Sequence, residues 1–515
     1  MPWLKAAITR IGFDDFSTEI VNVIRLFYEQ PTIEWGDAAD ADWAMTMEAY
    51  EGEPEREASC KVRLAMMDGS GSWNYSHSQL LVGEGESRRG AFKRVILYAL
   101  LQVLRESTGM EQPWGILTGV RPTKLMHNLL KEHGMETSQQ ILREQYLVTE
   151  PKVALLSEIA ERQLKVIPDF FALDKEVSIY IGIPFCPTKC AYCTFPAYDI
   201  RGNNGSVDGF LQGLHYEIRE TGRWLKQAGL GVTTIYWGGG TPTSIEAEEM
   251  DSLFQTMQEA FPALDKVREL TVEAGRPDTI TPAKLAVMRK WKVDRISINP
   301  QSFTQSTLDT IGRHHTVKET VEKFMLSREM GLDNINMDLI IGLPNEGVEQ
   351  FNHTLEQTAK LLPESLTVHT LSFKRASKMT KNRGEYEVAE RDEIREMMIL
   401  AEQFTERHGY KPYYLYRQKN ILGNLENVGY SLENRESLYN ILMMEERQSI
   451  IGLGCGAVSK IVFHGEEQGE VSKIERFPNP KEPSAYIENY RSYVDKKLQM
   501  LDQAYCSAKL SSVME

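Results

Sequence analysis

Three cysteines are crowded into eight residues near the middle of the chain, in the run CPTKCAYC. Cys186, Cys190 and Cys193 follow directly on SIYIGIPF, an apolar run that predicts a strand ending at the first thiol. Three thiolates on one short loop can bind three corners of a cubane iron–sulfur cluster and leave the fourth iron open to a small molecule. A zinc site would usually have a fourth ligand, but the residues just after Cys193 are Thr, Phe and Pro. The spacing therefore favours an iron–sulfur cluster.

The other cysteines are scattered. Six cysteines in 515 residues are too few for a disulfide scaffold. We interpret Cys455 as a small buried hydrophobic residue, and Cys60 and Cys506 as incidental. The N-terminal residues do not resemble a signal peptide, and the most apolar stretch, residues 95–104, is about half as long as a membrane-spanning helix. We therefore expect a cytoplasmic protein with reduced thiols and no membrane insertion.

The composition excludes several classes of protein. A hydrophobic fraction of 42% with 25% charged residues is typical of a globular chain and excludes a disordered or fibrous one. The length indicates more than one domain. The 58 basic and 73 acidic residues give a net charge of −15, which argues against a nucleic-acid partner bound through bulk charge.

The cysteine loop belongs to a regular alternation of strands and helices. Short β-rich runs alternate with helical segments, which predicts βαβ units and a parallel sheet. Six units are too few for a closed eight-stranded barrel, so the fold class is α/β, with an open, partial (βα)6 barrel over residues 170–383. In such a barrel the chemistry lies on the loops that follow the strands. The six runs are SIYIGIPF, TTIYWGGG, ELTVEA, RISINPQ, NINMDLIIGLP and SLTVHTLSF.

Two further domains flank this barrel. Residues 1–165 predict an α+β domain of unknown role, with a strand at EIVNVIRLFY, a hairpin around the turn DGSGS, and helices near residues 93–106 and 124–133. Residues 384–515 predict a mainly helical C-terminal domain that begins with a helix at 393–408 and contains the glycine-rich turn GLGCGAVSK.

The ordered motifs carry a family resemblance. YIGIPFCPTKCAYCTF resembles the cluster loop of radical S-adenosylmethionine (SAM) enzymes. WGGGTPTS, TVEAGRPD, RISINPQSF followed by IGRHH, and MDLIIGLP resemble the oxygen-independent coproporphyrinogen III dehydrogenases, most closely their HemZ branch. The resemblance implies that SAM chelates the open iron of a [4Fe–4S] cluster. An electron from the cluster then cleaves SAM to methionine and a 5′-deoxyadenosyl radical.

The resemblance also assigns residues. Cys186, Cys190 and Cys193 would ligate the cluster, and Gly239 and Gly240 would let backbone amides approach the methionine end of SAM. We interpret His314 and His315 as loop histidines with satisfied hydrogen bonds. The SAM contacts implied by the matching positions are Tyr180, Gly239, Gly240, Thr241, Glu273, Gln301, Arg313 and Asp338, with Val458 near a second SAM.

The implied substrate is coproporphyrinogen III, two of whose propionates would become vinyl groups with loss of carbon dioxide. Such a tetrapyrrole needs cations and a broad apolar face, and the cluster needs an electron donor. Candidate substrate contacts are Arg375, Arg417 and Lys419, with the neighbouring Tyr413, Tyr414 and Tyr416. The residues from Tyr413 to Lys419 have an alternative interpretation. They could instead form an aromatic packing stripe on a helix with a solvated basic edge.

Two positions depart from the best-known dehydrogenase pattern. Phe195 stands where that pattern has a fourth cysteine, and Gly182 stands where it has a histidine. Related haem chaperones with the same radical-SAM frame also lack the fourth cysteine. A haem-binding chaperone is therefore the alternative function, and a radical SAM enzyme on another substrate is the third.

Overall fold

The structure is a computed structural model in which the chain divides into two compact units, Met1–Glu158 and Ile159–Glu515. The three-domain division made from the sequence stays a prediction. Arg375, Lys419 and Cys506 lie outside the described residues. The structure describes all residues except 1–4, 29–30, 37, 39, 53–56, 82–84, 120, 203, 373–376, 378, 380–385, 419–424, 466–468 and 506–515, and the side chains of 85–87.

The first unit is built on a five-stranded sheet in the order β2-β1-β3-β4-β5. β1 runs parallel to both of its neighbours, and β3, β4 and β5 are antiparallel. Buried and exposed residues alternate along β4, as expected for a sheet with one face on the core. The elements are β1 (Lys5–Ile11), α1 (Ser17–Ile24), β2 (Thr32–Trp35), β3 (Trp43–Glu51), β4 (Glu57–Met66), β5 (Ser72–Leu80), α2 (Gly85–Thr108), α3 (Pro122–His133) and α4 (Met135–Glu144). The helix α5 (Glu150–Val166) begins in the first unit and ends in the second.

One predicted strand of this unit is wrong. The first part of EIVNVIRLFY belongs to the helix α1, Ser17–Ile24. Its buried residues Ile20, Val23 and Ile24 are three and four positions apart, which places them on one face of a helix. The predicted hairpin is confirmed as β4 and β5, and the two predicted helices are confirmed within α2 and α3.

The second unit contains an eleven-stranded sheet, in the order β14-β15-β13-β12-β11-β10-β9-β6-β16-β17-β18. Its elements up to the last parallel strand of the predicted barrel are β6 (Glu176–Ile183), β7 (Phe185–Cys186), β8 (Tyr198–Asp199), α6 (Val207–Ala228), β9 (Gly231–Gly239), α7 (Ala247–Ala260), β10 (Glu269–Glu273), α8 (Pro282–Lys290), β11 (Arg295–Ser297), α9 (Gln305–Thr310), α10 (Val317–Glu329), β12 (Ile335–Ile341), α11 (Val348–Leu361) and β13 (Ser365–Thr370).

The predicted six-stranded partial barrel is confirmed. β6, β9, β10, β11, β12 and β13 coincide with the six predicted runs and pair in parallel in chain order. Among the described strands, β6 and β13 do not pair with each other, so the barrel is open. The residues that follow each strand therefore meet at one edge of the sheet, where the cysteine loop also begins.

The C-terminal segment adds strands to both edges of this sheet. β14 and β15 lie antiparallel beside β13, while β16 runs parallel to β6 and leads into β17 and β18. The sequence pattern did not predict these strands, and KPYYLY is β14 rather than a helical stripe. The elements are α12 (Arg391–Arg407), β14 (Lys411–Tyr416), β15 (Asn427–Ser431), α13 (Leu438–Glu445), β16 (Ile450–Gly454), β17 (Val458–His464), β18 (Val471–Pro478) and α14 (Pro483–Tyr505).

A buried ion pair joins α14 to the barrel. The side chains of Glu217 on α6 and Lys497 on α14 are both 0% exposed and form a salt bridge. Glu217 also accepts hydrogen bonds from the Tyr486 hydroxyl (2.6 Å), the Asn479 amide (2.9 Å) and the Gly454 backbone N–H (2.7 Å). One carboxylate thus holds β16, the end of β18 and α14 against α6. In the part of the chain that is described, no helix is both long and apolar enough to cross a membrane.

Candidate active site

The cysteine loop is tied to the glycine run that follows β9. The Cys186 Sγ lies 3.3 Å from the Thr241 hydroxyl. The Gly240 and Thr241 amides donate to the carbonyls of Ile183 (2.7 Å) and Phe185 (2.8 Å). A Cβ at Gly240 would lie 2.6 Å from the Phe185 oxygen, and Gly239 has a φ of +108°. Glycine is therefore required for this close approach. Contact between this run and SAM stays a prediction.

The middle of the cysteine loop is hydrogen-bonded to the segment that follows β11. The Thr188 hydroxyl donates to the Gly312 carbonyl (3.3 Å), and the Ala191 amide donates to the Ile311 carbonyl (2.9 Å). Ala191 is also buried in an apolar cluster that contains Ile311. These contacts fix the loop between the residues that follow β9 and β11.

Arg276 is a site residue that the sequence reasoning missed. Its buried guanidinium pairs with the Asp278 carboxylate through two hydrogen bonds of 3.0 and 2.8 Å. It also donates to the Thr188 hydroxyl (3.1 Å) and lies 3.9 Å from the Cys190 Sγ. The signal was an arginine and an aspartate two residues apart in GRPD, after the third barrel strand.

The chemistry of the three thiols fits a cluster. Burial raises the pKa of the Cys186 thiol to about 11 and also raises the pKa of Cys193. A bound cation is therefore needed to hold them as thiolates, and iron supplies that charge. Among the described residues, no three His, Cys, Asp or Glu side chains converge on one ion.

Three tyrosines and Glu273 line the interior of the barrel. The Tyr236 ring stacks on Tyr439 with centroids 4.4 Å apart, and Tyr180 stacks on both at 6.3 Å. The Tyr236 hydroxyl donates to Glu273 at 2.6 Å. Burial raises the pKa of Glu273 to about 7, although this hydrogen bond opposes the shift. The structure thus brings the predicted residues Tyr180 and Glu273 to the same interior face.

Asp338 connects the barrel interior to the C-terminal segment. It accepts from the Asn336 amide (2.8 Å) and lies 3.7 Å from the His369 Nε2. Burial would raise the pKa of Asp338, but His369 and the Asn336 hydrogen bond lower it. The His369 Nδ1 lies 3.2 Å from the Tyr416 hydroxyl. His369 was also missed, because one histidine in a β-rich run gives no signal of its neighbours.

Gln301 and Arg313 lie in the segment that follows β11, on either side of α9. Gln301 has a φ of +67°, and its amide donates to the Asp338 carbonyl (3.0 Å). Its buried Oε1 has no hydrogen-bond partner within the described structure, so it can accept from a ligand. The Arg313 guanidinium donates to the carbonyls of Asn299 and Gly275. It therefore holds the loops after β10 and β11 together, and its contact with a ligand stays a prediction.

The prediction that His315 has satisfied hydrogen bonds is wrong. His315 is 0% exposed, and within the described residues neither ring nitrogen has a hydrogen-bond partner. Burial, followed by the charges of Arg313 and Arg276, lowers its pKa to about 3. His315 is therefore neutral, and the positive charge beside the loop comes from the two arginines. The neighbouring His314 is exposed.

The turn that joins β16 to β17 favours a glycine over a histidine at position 182. A Cβ at Gly182 would lie 3.1 Å from the Cys455 carbonyl oxygen and 3.4 Å from the Ala457 Cβ, so a larger side chain at this position would crowd the turn. Cys455 is buried and its thiol donates to the carbonyls of Pro480 (3.3 Å) and Lys481 (3.2 Å), consistent with a packing role. Val458 begins β17 and is 44% exposed, and its role near a second SAM stays a prediction.

The tyrosines of β14 have two different environments. Some pack in a buried apolar cluster, and one contacts a residue of the barrel interior. Tyr413 is buried in an apolar cluster, and the Tyr414 hydroxyl donates to Thr367 (3.4 Å). Tyr416 instead reaches His369. Arg417 is buried, and burial lowers its pKa to about 10. Of this group, Tyr416 contacts the predicted site through His369 and Asp338.

The chain is similar to several known proteins. Residues 180–358 match the Radical SAM superfamily. The chain is 52% identical over 507 residues to the oxygen-independent coproporphyrinogen-III oxidase-like protein HemZ of Bacillus subtilis, covering 98% of this chain and 99% of HemZ. It is 30% identical over 282 residues to the heme chaperone HemW of the same species, covering 54% of this chain and 70% of HemW. The solved structure of coproporphyrinogen III oxidase (HemN) from Escherichia coli has a TM-score of 0.49 and 21% identity, over 65% of this chain and 73% of that one.

A partial barrel with three thiols on its first loop is the architecture of radical SAM proteins, whose cofactors are a [4Fe–4S] cluster and SAM. The chain belongs to this superfamily and, within it, to the family of oxygen-independent coproporphyrinogen-III oxidase-like proteins that includes HemZ.

Proposed function

We propose that this protein is an oxidoreductase that converts coproporphyrinogen III to protoporphyrinogen IX without oxygen, in haem biosynthesis. The observation that carries the proposal is the 52% identity to HemZ over 98% of this chain, which includes both flanks of the barrel. In this proposal Cys186, Cys190 and Cys193 hold the cluster. The partners are then a tetrapyrrole, a reductant for the cluster and an electron acceptor.

The groups around the barrel interior suit SAM. When bound, the cluster and SAM together supply a 5′-deoxyadenosyl radical, which can oxidise an unactivated C–H bond. Glu273 is the last residue of β10, and Asp338 is on β12, with β11 between them. Both carboxylates can accept hydrogen bonds from an ammonium group or ribose hydroxyls. The unpartnered Gln301 Oε1 can do the same. These residues would bind and orient SAM.

In this proposal, two propionates of the substrate undergo the same oxidative decarboxylation. The β-carbon, next to the pyrrole ring, loses one hydrogen atom to the radical. The resulting substrate radical gives one electron to the acceptor, the bond to the carboxylate breaks, and carbon dioxide leaves. A double bond then joins the α- and β-carbons as a vinyl group. The protein's part is to hold the propionate in reach and to exclude water.

The test is an anaerobic turnover assay. The cluster is reconstituted, SAM, a reductant, an electron acceptor and coproporphyrinogen III are added, and the porphyrins and 5′-deoxyadenosine are separated by chromatography. The expected result is protoporphyrinogen IX with about two 5′-deoxyadenosines per product, because the radical acts once per propionate. Cys190→Ala should abolish cluster binding and turnover. Cys455→Ala is the matched control, because its thiol packs against backbone carbonyls. SAM cleavage without decarboxylation would instead indicate a radical SAM enzyme on another substrate.

A haem chaperone is the second candidate. It is supported by the 30% identity to HemW and by Phe195, which is 58% exposed where a fourth cysteine would stand. Stoichiometric haem binding that persists through gel filtration, with no decarboxylation in the same preparation, would favour the chaperone. Turnover with weak haem binding would exclude it.

A further inference from the structure

A buried arginine lies directly against the cysteine loop. Arg276 donates to the Thr188 hydroxyl (3.1 Å) and carbonyl (3.4 Å), and its Nη1 lies 3.9 Å from the Cys190 Sγ. One guanidinium nitrogen thus contacts two residues of the loop, one of them a proposed cluster ligand. The N–H···S contact brings a permanent positive charge to that ligand.

The orientation of this guanidinium is set by Asp278. Its Nε and Nη2 donate to the two carboxylate oxygens, a bidentate pair that leaves Nη1 to face the loop. Arg276 is 3% exposed, so its charge is screened little by solvent. The geometry therefore presents the charge to Cys190 in one fixed direction.

Two other groups of this region, Arg313 and His315, do not supply this contact, and the Tyr192 hydroxyl, which interacts with the Cys190 side chain, carries no positive charge. Arg313 donates to the Asn299 and Gly275 carbonyls, and His315 is neutral. Arg276 accordingly supplies the N–H···S hydrogen bond in this part of the loop.

We propose that Arg276 is a positioning residue for the cysteine loop and that its hydrogen bond to Cys190 makes the bound cluster easier to reduce. The inference rests on the proposed function, in which Cys190 is a cluster ligand. Reduction adds an electron to the cluster, and hydrogen bonds to its sulfur ligands stabilise that charge. Asp278 would act through Arg276 by fixing its direction.

The test is a redox titration of the reconstituted holoprotein followed by electron paramagnetic resonance, with iron and sulfide content measured in parallel. Arg276→Gln should make the cluster about tenfold harder to reduce, which corresponds to a midpoint potential about 59 mV more negative. Arg289→Gln is the matched control, because Arg289 is a surface arginine that donates to the Gly331 carbonyl. Its potential should equal that of the wild type.

Asp278→Asn distinguishes the effect of the Arg276 guanidinium's orientation from the effect of net charge near the cluster. It also tests the inference if the Arg276→Gln variant does not fold. Loss of a nearby negative charge alone would make the potential less negative, whereas loss of the arginine's orientation makes it more negative, which is the result we expect. Potentials for Arg276→Gln or Asp278→Asn that equal or exceed the wild-type value would overturn the inference and leave the cluster assignment intact. A wild-type protein that binds no cluster would overturn the cluster assignment and the inference together.

Discussion

The buried pair of Glu217 and Lys497 gives a sharp prediction about stability. In Lys497→Met the Glu217 carboxylate loses its cation but stays fully buried, since its three other donors come from protein groups. Breaking a buried ion pair from one side costs about 3–5 kcal/mol. We therefore expect the free energy of unfolding of the second unit to fall by about this amount.

The partner variants show where the cost arises. Glu217→Gln with Lys497→Met removes both charges but keeps an oxygen that can accept from Tyr486 or Asn479, so it should recover most of the loss. Glu217→Leu with Lys497→Met leaves three buried donors without an acceptor, each costing about 1–3 kcal/mol, and should recover little.

The assay is urea denaturation followed by circular dichroism, with limited proteolysis to report release of α14. Lys496→Met is the control, because its side chain is on the exposed face of the same helix. A loss of less than 1 kcal/mol in Lys497→Met, or equal stability of the Gln and Leu double variants, would refute the reasoning.

Three further predictions address the candidate site. Burial raises the folded-state pKa of Glu273 to about 7 from its usual 4.5, so the folded protein binds a proton that the unfolded chain has released. The free energy of unfolding should thus fall by about 3 kcal/mol between pH 4.5 and 7 relative to Glu273→Gln, as measured by denaturation across pH; parallel curves for the two proteins would contradict it. Gly182→His should destabilise the second unit by about 1–3 kcal/mol through overpacking against the Cys455 carbonyl, while Gly119→Ala, with open space at its Cβ, should be neutral in the same melts. Gly240→Ala should lower the iron content after reconstitution several-fold, because its Cβ would lie 2.6 Å from the Phe185 oxygen; full occupancy would show that the glycine run does not shape the loop.

Local sequence patterns were enough to predict the six parallel strands of the barrel. The parallel strands are largely buried, and their sequences are short β-rich runs followed by glycine or polar residues. The same rule failed for α1, whose apolar residues satisfy both a helical face and a β-rich run. It also missed β14, where tyrosines and a proline gave no clear period.

Three closely spaced thiols, the order of the motifs and the strand ends that carry them can be read directly from the sequence. These are local properties, fixed by covalent spacing and by the alternation of strand and helix. Only the tertiary structure placed Arg276 on Cys190, joined His369 to Asp338 and Tyr416, and filled the space beside Gly182 with the turn after β16. Those contacts join segments that are tens to hundreds of residues apart. A one-dimensional pattern does not encode which side chains a folded sheet brings together, because their positions depend on strand order, register and packing.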